Sequence, residues 1–393
     1  MNLTKLPILV KEALEKALGP GPIPLHEPIF DGNEWKYVKD CIDSTFVSSV
    51  GSYVSKFESD LQKYTGSKHA IAIVNGTSAL HCALYVAGVK SGDEVLVPSL
   101  SFVASANAIR YCNAVPHFVD SDKSNLGIDV EKLEAYLSTI VINTTNGSRN
   151  RNTGNIIRAI LPMHTFGHIG DMDGILRLAK KYRLDVIEDA AEAIGSFYKK
   201  NHAGTIGKLG ILSFNGNKTI TTGGGGAILT NDDFLANKLR HITTTAKLKH
   251  AWEFIHDEVG FNYRMPNLNA ALGCAQLEGL QKKLTFKRDL FSRYHEVFKG
   301  ISQLKVITES NECDSNYWLQ AIMLEENSYD FREEILKVAN GAGFGARPAW
   351  NLISSFEPYK KCPSMDLTNA NLLGRSLINI PSMPKIISIN HEA

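Results

Sequence analysis

The chain has 393 residues, and 44% of them are hydrophobic, which is enough for a sizeable core in about two to three domains. Its 42 Lys and Arg balance 41 Asp and Glu without any basic or acidic block, which excludes the usual composition of nucleic-acid and membrane-surface binders. No apolar run approaches the ~20 residues of a membrane-spanning helix. We therefore expect a small-molecule ligand, with no nucleic-acid and no membrane partner.

The amino-terminal segment and the cysteines indicate the cellular compartment. The first ten residues, MNLTKLPILV, carry too short an apolar stretch for a signal peptide. The six cysteines are scattered, with no Cys-x-x-Cys and no neighbouring His pattern, which argues against both a disulfide scaffold and a zinc site. We therefore predict a cytoplasmic protein without a metal centre.

Short apolar runs alternate with helical periods through the first two thirds of the chain. This pattern predicts an α/β fold with a mostly parallel sheet, because such runs are too apolar to face water on either side. The predicted strands are 70–74, 94–97, 115–119, 156–161, 184–187 and 210–213. The predicted helices between them include 77–89, 104–112 and 174–182.

Two other stretches mark the organisation of the chain. Residues 143–155 are polar and predict a surface loop without chemistry. After about Ala251, longer helical periods at 269–283 and 287–298 precede a mixed tail with a candidate strand at 317–323. We expect a large domain over residues 1–250, including an amino-terminal arm, and a smaller α+β domain over residues 251–393.

Ligands of open α/β sheets bind beyond the carboxyl ends of the strands, so the residues that follow each run are the first candidates for a site. Asn75-Gly-Thr-Ser-Ala-Leu80 leads directly from a strand into a helix. The backbone amides of Gly76, Thr77 and Ser78, with the neighbouring hydroxyls, could hold a phosphate there. An ordinary capped helix start is the alternative interpretation of this segment.

Two acidic residues follow the run at 184–187. Asp189 is placed to keep the pyridine nitrogen of pyridoxal phosphate (PLP) protonated, although an acidic residue at a strand end can also serve as a helix cap. Its predecessor, Glu188, would point to the opposite side of the strand if the pleat continues. Glu192 either completes a cap or faces the phenolic oxygen of that cofactor.

Lys218 lies in Ser213-Phe-Asn-Gly-Asn-Lys218, followed by three threonines and by four glycines at 223–226. A lysine among hydroxyls and glycines, with a carboxylate on a neighbouring strand, is what a Schiff base with PLP requires. A surface lysine in a turn is the competing interpretation. The nucleotide-binding pattern Gly-x-x-x-x-Gly-Lys-Ser/Thr does not occur around it.

With these motifs in place, the chain resembles the DegT/DnrJ/EryC1/StrS family of sugar-nucleotide aminotransferases. The matching segments follow the family order over roughly residues 25 to 280. They are Phe46-Val-Ser-Ser-Val-Gly51, Asn75-Gly-Thr-Ser-Ala-Leu80, Val97-Pro-Ser-Leu-Ser-Phe102, Pro162-Met-His-Thr-Phe-Gly167, Glu188-Asp-Ala-Ala-Glu192, 213–226 and Gly260-Phe-Asn-Tyr-Arg-Met265. The resemblance implies an aspartate-aminotransferase-like fold, with a mostly parallel seven-stranded sheet in the large domain.

The resemblance also assigns roles. Lys218 and Asp189 are implied as the catalytic pair, with Lys218 carrying the Schiff base. The residues implied to bind PLP are Gly76, Thr77, Ser78, Phe102, Asp189, Glu192, Ser213, Asn217, Lys218 and Asn262. Phe102 is similar to the aromatic residue that stacks on the cofactor ring, and Asn262 to the asparagine that reaches the phosphate of the neighbouring subunit. A homodimer with shared active sites is therefore implied.

Two positions depart from the family pattern, since Glu192 stands where many relatives have Gln or His, and Gly224 where many have Glu. Within the family, Pro24-Leu-His-Glu-Pro28 and the segments around Val50 and Lys218 look most like the LegC group. That likeness implies an amino transfer from glutamate to a UDP- or GDP-linked 4-keto-6-deoxy-N-acetylhexosamine, on the way to legionaminic acid or a related bacterial surface sugar.

Three other interpretations stay open at this point. One is a family member that acts on a perosamine- or bacillosamine-type keto sugar. Another is a PLP-binding regulator without turnover, although no helix-turn-helix or basic appendage is visible. The third is a nicotinamide-dependent sugar enzyme, which the absence of Gly-x-Gly-x-x-Gly after the first strand disfavours.

Overall fold

The computed structural model describes residues 5–145 and 147–383. Its helices are Leu6–Leu18 (α1), Glu34–Asp43 (α2), Ser52–Thr65 (α3), Gly76–Val86 (α4), Val103–Tyr111 (α5), Val130–Ile140 (α6), Met172–Tyr182 (α7), Asp233–Thr243 (α8), Asn267–Glu278 (α9), Leu280–Phe298 (α10), Arg332–Gly341 (α11) and Thr368–Ser376 (α12). Within these residues, no helix combines the length and the apolarity needed to cross a membrane.

The strands form three sheets. They are His69–Ile73 (β1), Glu94–Pro98 (β2), Val115–Val119 (β3), Val141–Thr144 (β4), Gly147–Asn150 (β5), Ile156–Ile160 (β6), Asp185–Asp189 (β7), Phe197–Tyr198 (β8), Asn201–His202 (β9), Leu209–Ser213 (β10), Gly226–Thr230 (β11), Leu304–Val306 (β12), Cys313–Asp314 (β13), Gln320–Leu324 (β14), Arg347–Pro348 (β15) and Leu377–Ile380 (β16).

The large sheet confirms the α/β prediction. Seven of its strands run in the order β1-β11-β10-β7-β6-β2-β3. β11 pairs antiparallel with both β1 and β10, and the remaining neighbours along this path pair in parallel. Hydrophobic clusters cover both faces, which explains why the strands read as continuous apolar runs. The sequence analysis did not identify β11.

Four helices that follow strands of this sheet begin at a side-chain cap. The carboxyl oxygen of Asp129, Asp171 or Asp232 accepts the backbone N–H three residues later at the start of α6, α7 or α8. The side-chain oxygen of Asn75 does the same for Ser78 in α4, at 2.8 Å. Such caps satisfy one of the N–H groups that a helix start leaves without an internal acceptor.

The segment predicted as a surface loop forms a hairpin instead. β4 and β5 pair antiparallel, and β5 continues the pairing onto β6. The sequence analysis missed these strands because most of their side chains are polar. The buried side chains among them contact other polar groups inside the protein. Asn150 of β5 donates to the buried carboxylate of Glu94 at 2.9 Å, and His117 contacts the same carboxylate at 2.8 Å.

The carboxyl-terminal third builds a second sheet in the order β12-β14-β16-β15, with antiparallel pairing throughout. One face packs against α10 and α11, and the other meets Leu100, Leu126 and Phe166 of the large domain. The strand predicted at 317–323 begins only at Gln320, because Tyr317 has a φ of 46°, which extended backbone cannot adopt.

The amino-terminal helix α1 packs in the small domain. Leu6, Val10 and Leu14 lie in one apolar cluster with Tyr294 of α10 and Ile335 of α11. The division of the chain at residue 250 stays a prediction, but this packing separates α1 from the large sheet. The segment after α1 then passes the carboxyl end of β16, and Ser382, two residues beyond that strand, donates its N–H to the carbonyl of Leu25 at 2.6 Å.

Candidate active site

A cavity of about 200 Å³ opens at the carboxyl end of the parallel strands. Its lining comes from the ends of β7 and β10, the start of α4 and the loop after β10. The lining residues are Asn75, Gly76, Thr77, Leu80, Phe102, Ala104, Met163, Asp189, Ala191, Glu192, Ser213, Asn215 and Lys218. The fold therefore brings together residues that lie far apart in the sequence.

Lys218 contributes the amine of the cavity. Its Nζ lies 3.1 Å from Oε1 of Glu192 and 3.9 Å from the centre of the Trp318 ring. The indole N–H of Trp318 donates to the carbonyl of Asn217 at 2.8 Å, so the same ring also holds the residue before the lysine. The side chain of Lys218 is 12% exposed, which excludes the solvated surface lysine considered above.

Asp189 is a buried carboxylate at the end of β7. Its Oδ2 accepts the hydroxyl of Ser105 at 2.6 Å, and its Oδ1 accepts the N–H of Ala191 at 3.2 Å. Burial raises the pKa of the Asp189 carboxyl, and the nearby charge of Lys218 opposes that rise. Burial therefore opposes ionisation of the Asp189 carboxyl, and a cationic partner in the cavity would favour the ionised form.

Glu192 lies between the lysine and the small domain. Its Oε2 accepts the N–H of Phe166 at 2.9 Å, and its backbone carbonyl accepts the side-chain amide of Asn316 at 2.8 Å. Burial raises the pKa of the Glu192 carboxyl, with Lys218 again acting in the opposite direction. The two oxygens of this carboxylate thus have separate tasks, one toward the backbone and one toward the amine.

The start of α4 provides the donor groups for an anion. The cap from Asn75 uses the N–H of Ser78, and this leaves the N–H groups of Gly76 and Thr77 at the positively polarised end of the helix. A Cβ on residue 76 would lie 3.0 Å from Cβ of Ser213, so any larger residue would require Ser213 to shift. The hydroxyl of Ser213 and the two amides form one concave donor group.

Aromatic side chains form one wall of the cavity. Phe102 lines it and is 51% exposed, an unusually open position for a phenylalanine. Its ring centre lies 6.3 Å from that of Trp350, which in turn lies 5.0 Å from Phe166. An exposed ring supported in this way can stack on a flat ligand.

Three predicted cofactor residues do not line this cavity. The amide of Ser78 was predicted to be free, but the structure corrects this because Asn75 occupies it. Asn217 is exposed and contributes only its carbonyl, to Trp318. Asn262 is exposed as well, next to the edge strand β1, where the carbonyl of Tyr263 accepts the N–H of Val74.

Several polar residues near the strand ends point away from the cavity. Glu188 accepts N–H groups of Gly204 and Gly207 and contacts His164 at 2.9 Å, on the opposite face of β7 from Asp189. This contact gives His164 a structural role. Tyr317 is buried and stacks on Phe291 at 4.3 Å between ring centres.

Sequence reasoning missed Ser105, Trp318 and Trp350. Ser105 lies only three residues after Phe102, on the first turn of α5, so its position beside the strand ends could have been inferred. Trp318 and Trp350 belong to the small domain, and no sequence pattern indicates which way that domain faces. Their contacts with the cavity depend on how the two sheets pack.

The comparison with known proteins agrees with this geometry. The model of the DegT/DnrJ/EryC1/StrS aminotransferase family matches residues 28–390. The chain belongs to that family. The chain is accordingly a PLP-dependent sugar-nucleotide aminotransferase, and its substrates are a nucleotide-linked sugar and an amino donor.

Relatives within the DegT/DnrJ/EryC1/StrS family match over most of the chain. GDP-perosamine synthase of Caulobacter vibrioides is 38% identical over 90% of this chain and 91% of its own. UDP-4-amino-4,6-dideoxy-N-acetyl-beta-L-altrosamine transaminase of Campylobacter jejuni is 34% identical over 84% of this chain and 85% of its own.

The solved structure of Helicobacter pylori PseC, an aminotransferase of pseudoaminic acid biosynthesis, gives a TM-score of 0.85 at 25% identity over 94% of this chain and 95% of its own. This likeness confirms the predicted fold.

The residues of this chain fit the cofactor of the DegT/DnrJ/EryC1/StrS family. A phosphate needs several hydrogen-bond donors, and the N–H groups of Gly76 and Thr77 with the hydroxyl of Ser213 provide them. A pyridine nitrogen requires a buried carboxylate, and Asp189 lacks a cationic bonding partner among the described residues. An aldehyde requires an amine in the same cavity, and Lys218 is there.

Proposed function

We propose that Lys218 and Asp189 are the catalytic pair of an enzyme that moves an amino group from glutamate to a nucleotide-linked 4-keto-6-deoxy sugar. The observation that carries this proposal is that both side chains line one cavity together with the amino end of α4. A bound PLP supplies an electron sink through its ring. The remaining work falls to residues of the protein.

Lys218 is proposed to hold the cofactor covalently and then to act as the base. Its Nζ would take the proton from the α carbon of glutamate and, in the second half of the cycle, would deliver a proton to the sugar carbon that carried the ketone. Glu192, whose Oε1 lies 3.1 Å from this Nζ, would orient the amine for both transfers.

Asp189 is proposed to face the protonated ring nitrogen. The hydroxyl of Ser105 and the N–H of Ala191 fix the orientation of the carboxylate, which leaves lone pairs for the ligand. Gly76, Thr77 and Ser213 are proposed to hold the phosphate and Phe102 to stack on the ring. These groups and Lys218 line the same cavity, so they could contact one bound cofactor together.

Two sugars are candidates for the acceptor. The segments similar to the LegC group favour a UDP- or GDP-linked 4-keto-6-deoxy-N-acetylhexosamine of the legionaminic acid type. Three relatives named GDP-perosamine synthase, at 35% to 38% identity, favour a GDP-linked keto sugar of the perosamine type instead. Both acceptors present a ketone at the same sugar carbon, so the catalytic proposal is shared.

A homodimer with shared active sites is part of the proposal. Asn262 is exposed and does not line its own cavity, which agrees with a role toward a second copy. Large apolar side chains are exposed on two nearby segments, as expected for surfaces that a partner subunit covers. They include Trp35, Phe46 and Val50 on the first segment and Trp252, Phe254 and Val259 on the second.

The cytoplasm is the proposed compartment. All six cysteines are free, and five of them are buried. Free thiols in this number are typical of proteins kept in a reducing environment.

The experiment that tests the function is mass spectrometry of the product. The purified enzyme is incubated with glutamate and a panel of UDP- and GDP-linked 4-keto sugars, with and without an N-acetyl group. We expect one sugar of the panel to exchange its ketone oxygen for the mass of NH3, because C=O becomes CH–NH2. An equal amount of oxoglutarate should form. A panel in which no sugar is aminated while the cofactor is bound would contradict the proposal.

A further inference from the structure

Trp318 of the small domain packs against the amine of Lys218 without facing the cavity. The centre of its ring lies 3.9 Å from Nζ of Lys218, an arrangement in which the ring face attracts an ammonium group. Trp318 is 2% exposed and is absent from the lining of the cavity. The ring therefore blocks one direction in which the lysine side chain could otherwise turn away from the cavity.

The same indole holds the main chain beside the lysine. Its Nε1–H donates to the carbonyl of Asn217 at 2.8 Å, and Asn217 directly precedes Lys218. A lysine side chain is long and flexible, so its amine can occupy many positions unless contacts restrain it. Trp318 restrains the backbone at one end of this side chain and the amine at the other.

Trp318 is itself fixed at both polar groups of its backbone. Its N–H donates to Oδ1 of Asn316 at 2.8 Å, and its carbonyl accepts Nζ of Lys287 at 3.0 Å. Both partners are buried. The amide of Asn316 also donates to the backbone carbonyl of Glu192 at 2.8 Å, in the large domain. Contacts with both domains therefore set the orientation of the indole.

The residue before Trp318 has a strained backbone conformation. Tyr317 has a φ of 46°, in the left-handed region that bulky side chains rarely adopt. Its ring is held against that of Phe291, 4.3 Å away between ring centres. Such strain persists only where the surrounding contacts enforce it, and it concentrates at functional sites. Here the strained residue leads directly into the side chain that contacts Lys218.

We propose that Trp318 is a positioning residue for the amine of Lys218. Its ring face and its N–H keep Nζ directed into the cavity, where the aldehyde of PLP would be reached. The inference rests on the proposed function, because it presupposes that Lys218 forms the covalent bond to the cofactor. It adds that a side chain of the small domain controls the reactivity of an amine that the large domain supplies.

The test follows covalent capture of PLP by the full-length enzyme after its cofactor has been removed. PLP is added, samples are reduced with borohydride at successive times, and mass spectrometry gives the fraction of the Lys218 peptide that carries the cofactor. For Trp318→Leu we expect capture about ten- to hundredfold slower than in the wild type, because a displacement of about 1 Å can slow a reaction that much.

A ligand without an aldehyde separates positioning of the amine from binding of the cofactor. Pyridoxamine phosphate forms no bond with the lysine, so its affinity reports only on the remaining contacts of the cavity. We expect its affinity for Trp318→Leu, measured by isothermal titration calorimetry, to stay within about twofold of the wild type.

Two other variants separate positioning from stability. Trp318→Phe keeps a ring face but removes the donor to Asn217, so we expect capture about two- to tenfold slower, the cost of one hydrogen bond. Phe344→Leu is the matched control, because Phe344 is a fully buried aromatic residue of the small domain in the apolar cluster around α1, α10 and α11. We expect Phe344→Leu to lower the thermal midpoint and to capture PLP at the wild-type rate.

Wild-type rates of capture in every Trp318 variant that folds would overturn the inference. Slower capture would also overturn it if Phe344→Leu were slowed equally, or if the affinity for pyridoxamine phosphate fell in proportion, since either result reports a general loss of structure. Failure of the proposed function would look different, because the wild type itself would then carry no cofactor at Lys218, and the inference would fall with it.

Discussion

Two adjacent carboxylates of β7 have opposite surroundings on the two faces of the large sheet. Glu188 is satisfied by His164 and by the N–H groups of Gly204, Ile206 and Gly207. Asp189, one residue later, receives one hydroxyl and one N–H and lines a cavity. Both are buried, so burial by itself does not distinguish a structural acid from a functional one.

The direction of the pKa shift does distinguish them. Burial raises the pKa of the Glu188 carboxyl, but the hydrogen bonds from His164 and the backbone outweigh it, and the net shift is downward. For Asp189, burial dominates, and the net shift is upward. An acid with a raised pKa in a cavity is poised to interact with a ligand, whereas an acid with a lowered pKa stabilises the fold.

The largest expected effect follows from removing the amine on the cavity side. Lys218→Ala should abolish turnover, because Lys218 is the one lysine among the described residues that line the cavity. It should also abolish the mass increase of the lysine peptide after borohydride reduction of the holoenzyme, measured by mass spectrometry. Lys208→Ala is the control, since Lys208 is a lysine at the other end of the strands, paired with Asp185 at 3.0 Å. Residual steady-state turnover of the alanine variant would refute the assigned role.

Asp189→Asn should lower kcat by a factor on the order of 10² or more while the protein stays folded, because the ring nitrogen loses its anionic partner.

The same substitution should raise the unfolding free energy of the cofactor-free protein. The folded carboxyl has a raised pKa, so the unfolding free energy of the cofactor-free wild type falls as pH rises through that pKa. Denaturant titration at pH 7 should therefore find the cofactor-free Asn variant more stable, and a less stable variant would contradict the comparison.

Glu188→Gln should act on the fold. Breaking its buried contact with His164 should lower the unfolding free energy by about 3 kcal/mol, with kcat of the folded fraction nearly unchanged. Because the folded pKa of Glu188 is lowered, its contribution is present above the unfolded value of about 4.3 and disappears as pH falls through the folded value. The difference in unfolding free energy between wild type and variant, measured by urea unfolding, should therefore become small at acid pH. If Glu188→Gln lost most of its kcat while keeping the stability of the wild type, the contrast between a structural Glu188 and a functional Asp189 would be wrong.

Ser105→Ala should give the smallest effect. The hydroxyl orients Asp189 without touching the reacting atoms, so its loss should cost about 1 kcal/mol, roughly a fivefold fall in kcat. The expected signature of a positioning role is an altered pH profile of kcat, since Ser105 is one of the groups that lower the pKa of Asp189. Ser101→Ala is a suitable control, because Ser101 contacts Ser105 at 3.0 Å but not the carboxylate.

The sequence predicted the parts of the site that depend on local patterns. Strand ends are visible as apolar runs, and the residues that follow them, such as Asp189 and Gly76, therefore meet at one edge of a parallel sheet. The hairpin at 141–150 was missed because its strands are polar, and their burial depends on Glu94, which lies more than 50 residues earlier. The amide of Ser78 was predicted to be free, but the side chain of Asn75 accepts it, as the alternative interpretation of a capped helix start would have it.

The sequence by itself determined the α/β class, the family resemblance and the placement of Lys218 and Asp189 beyond the ends of strands, where they line one cavity. Only the tertiary structure decided what surrounds that pair. Trp318 lies 100 residues after Lys218, and Asn316 donates to the backbone carbonyl of Glu192, which lies 124 residues earlier. Such contacts depend on how the small domain packs on the large one, and no local pattern encodes that orientation.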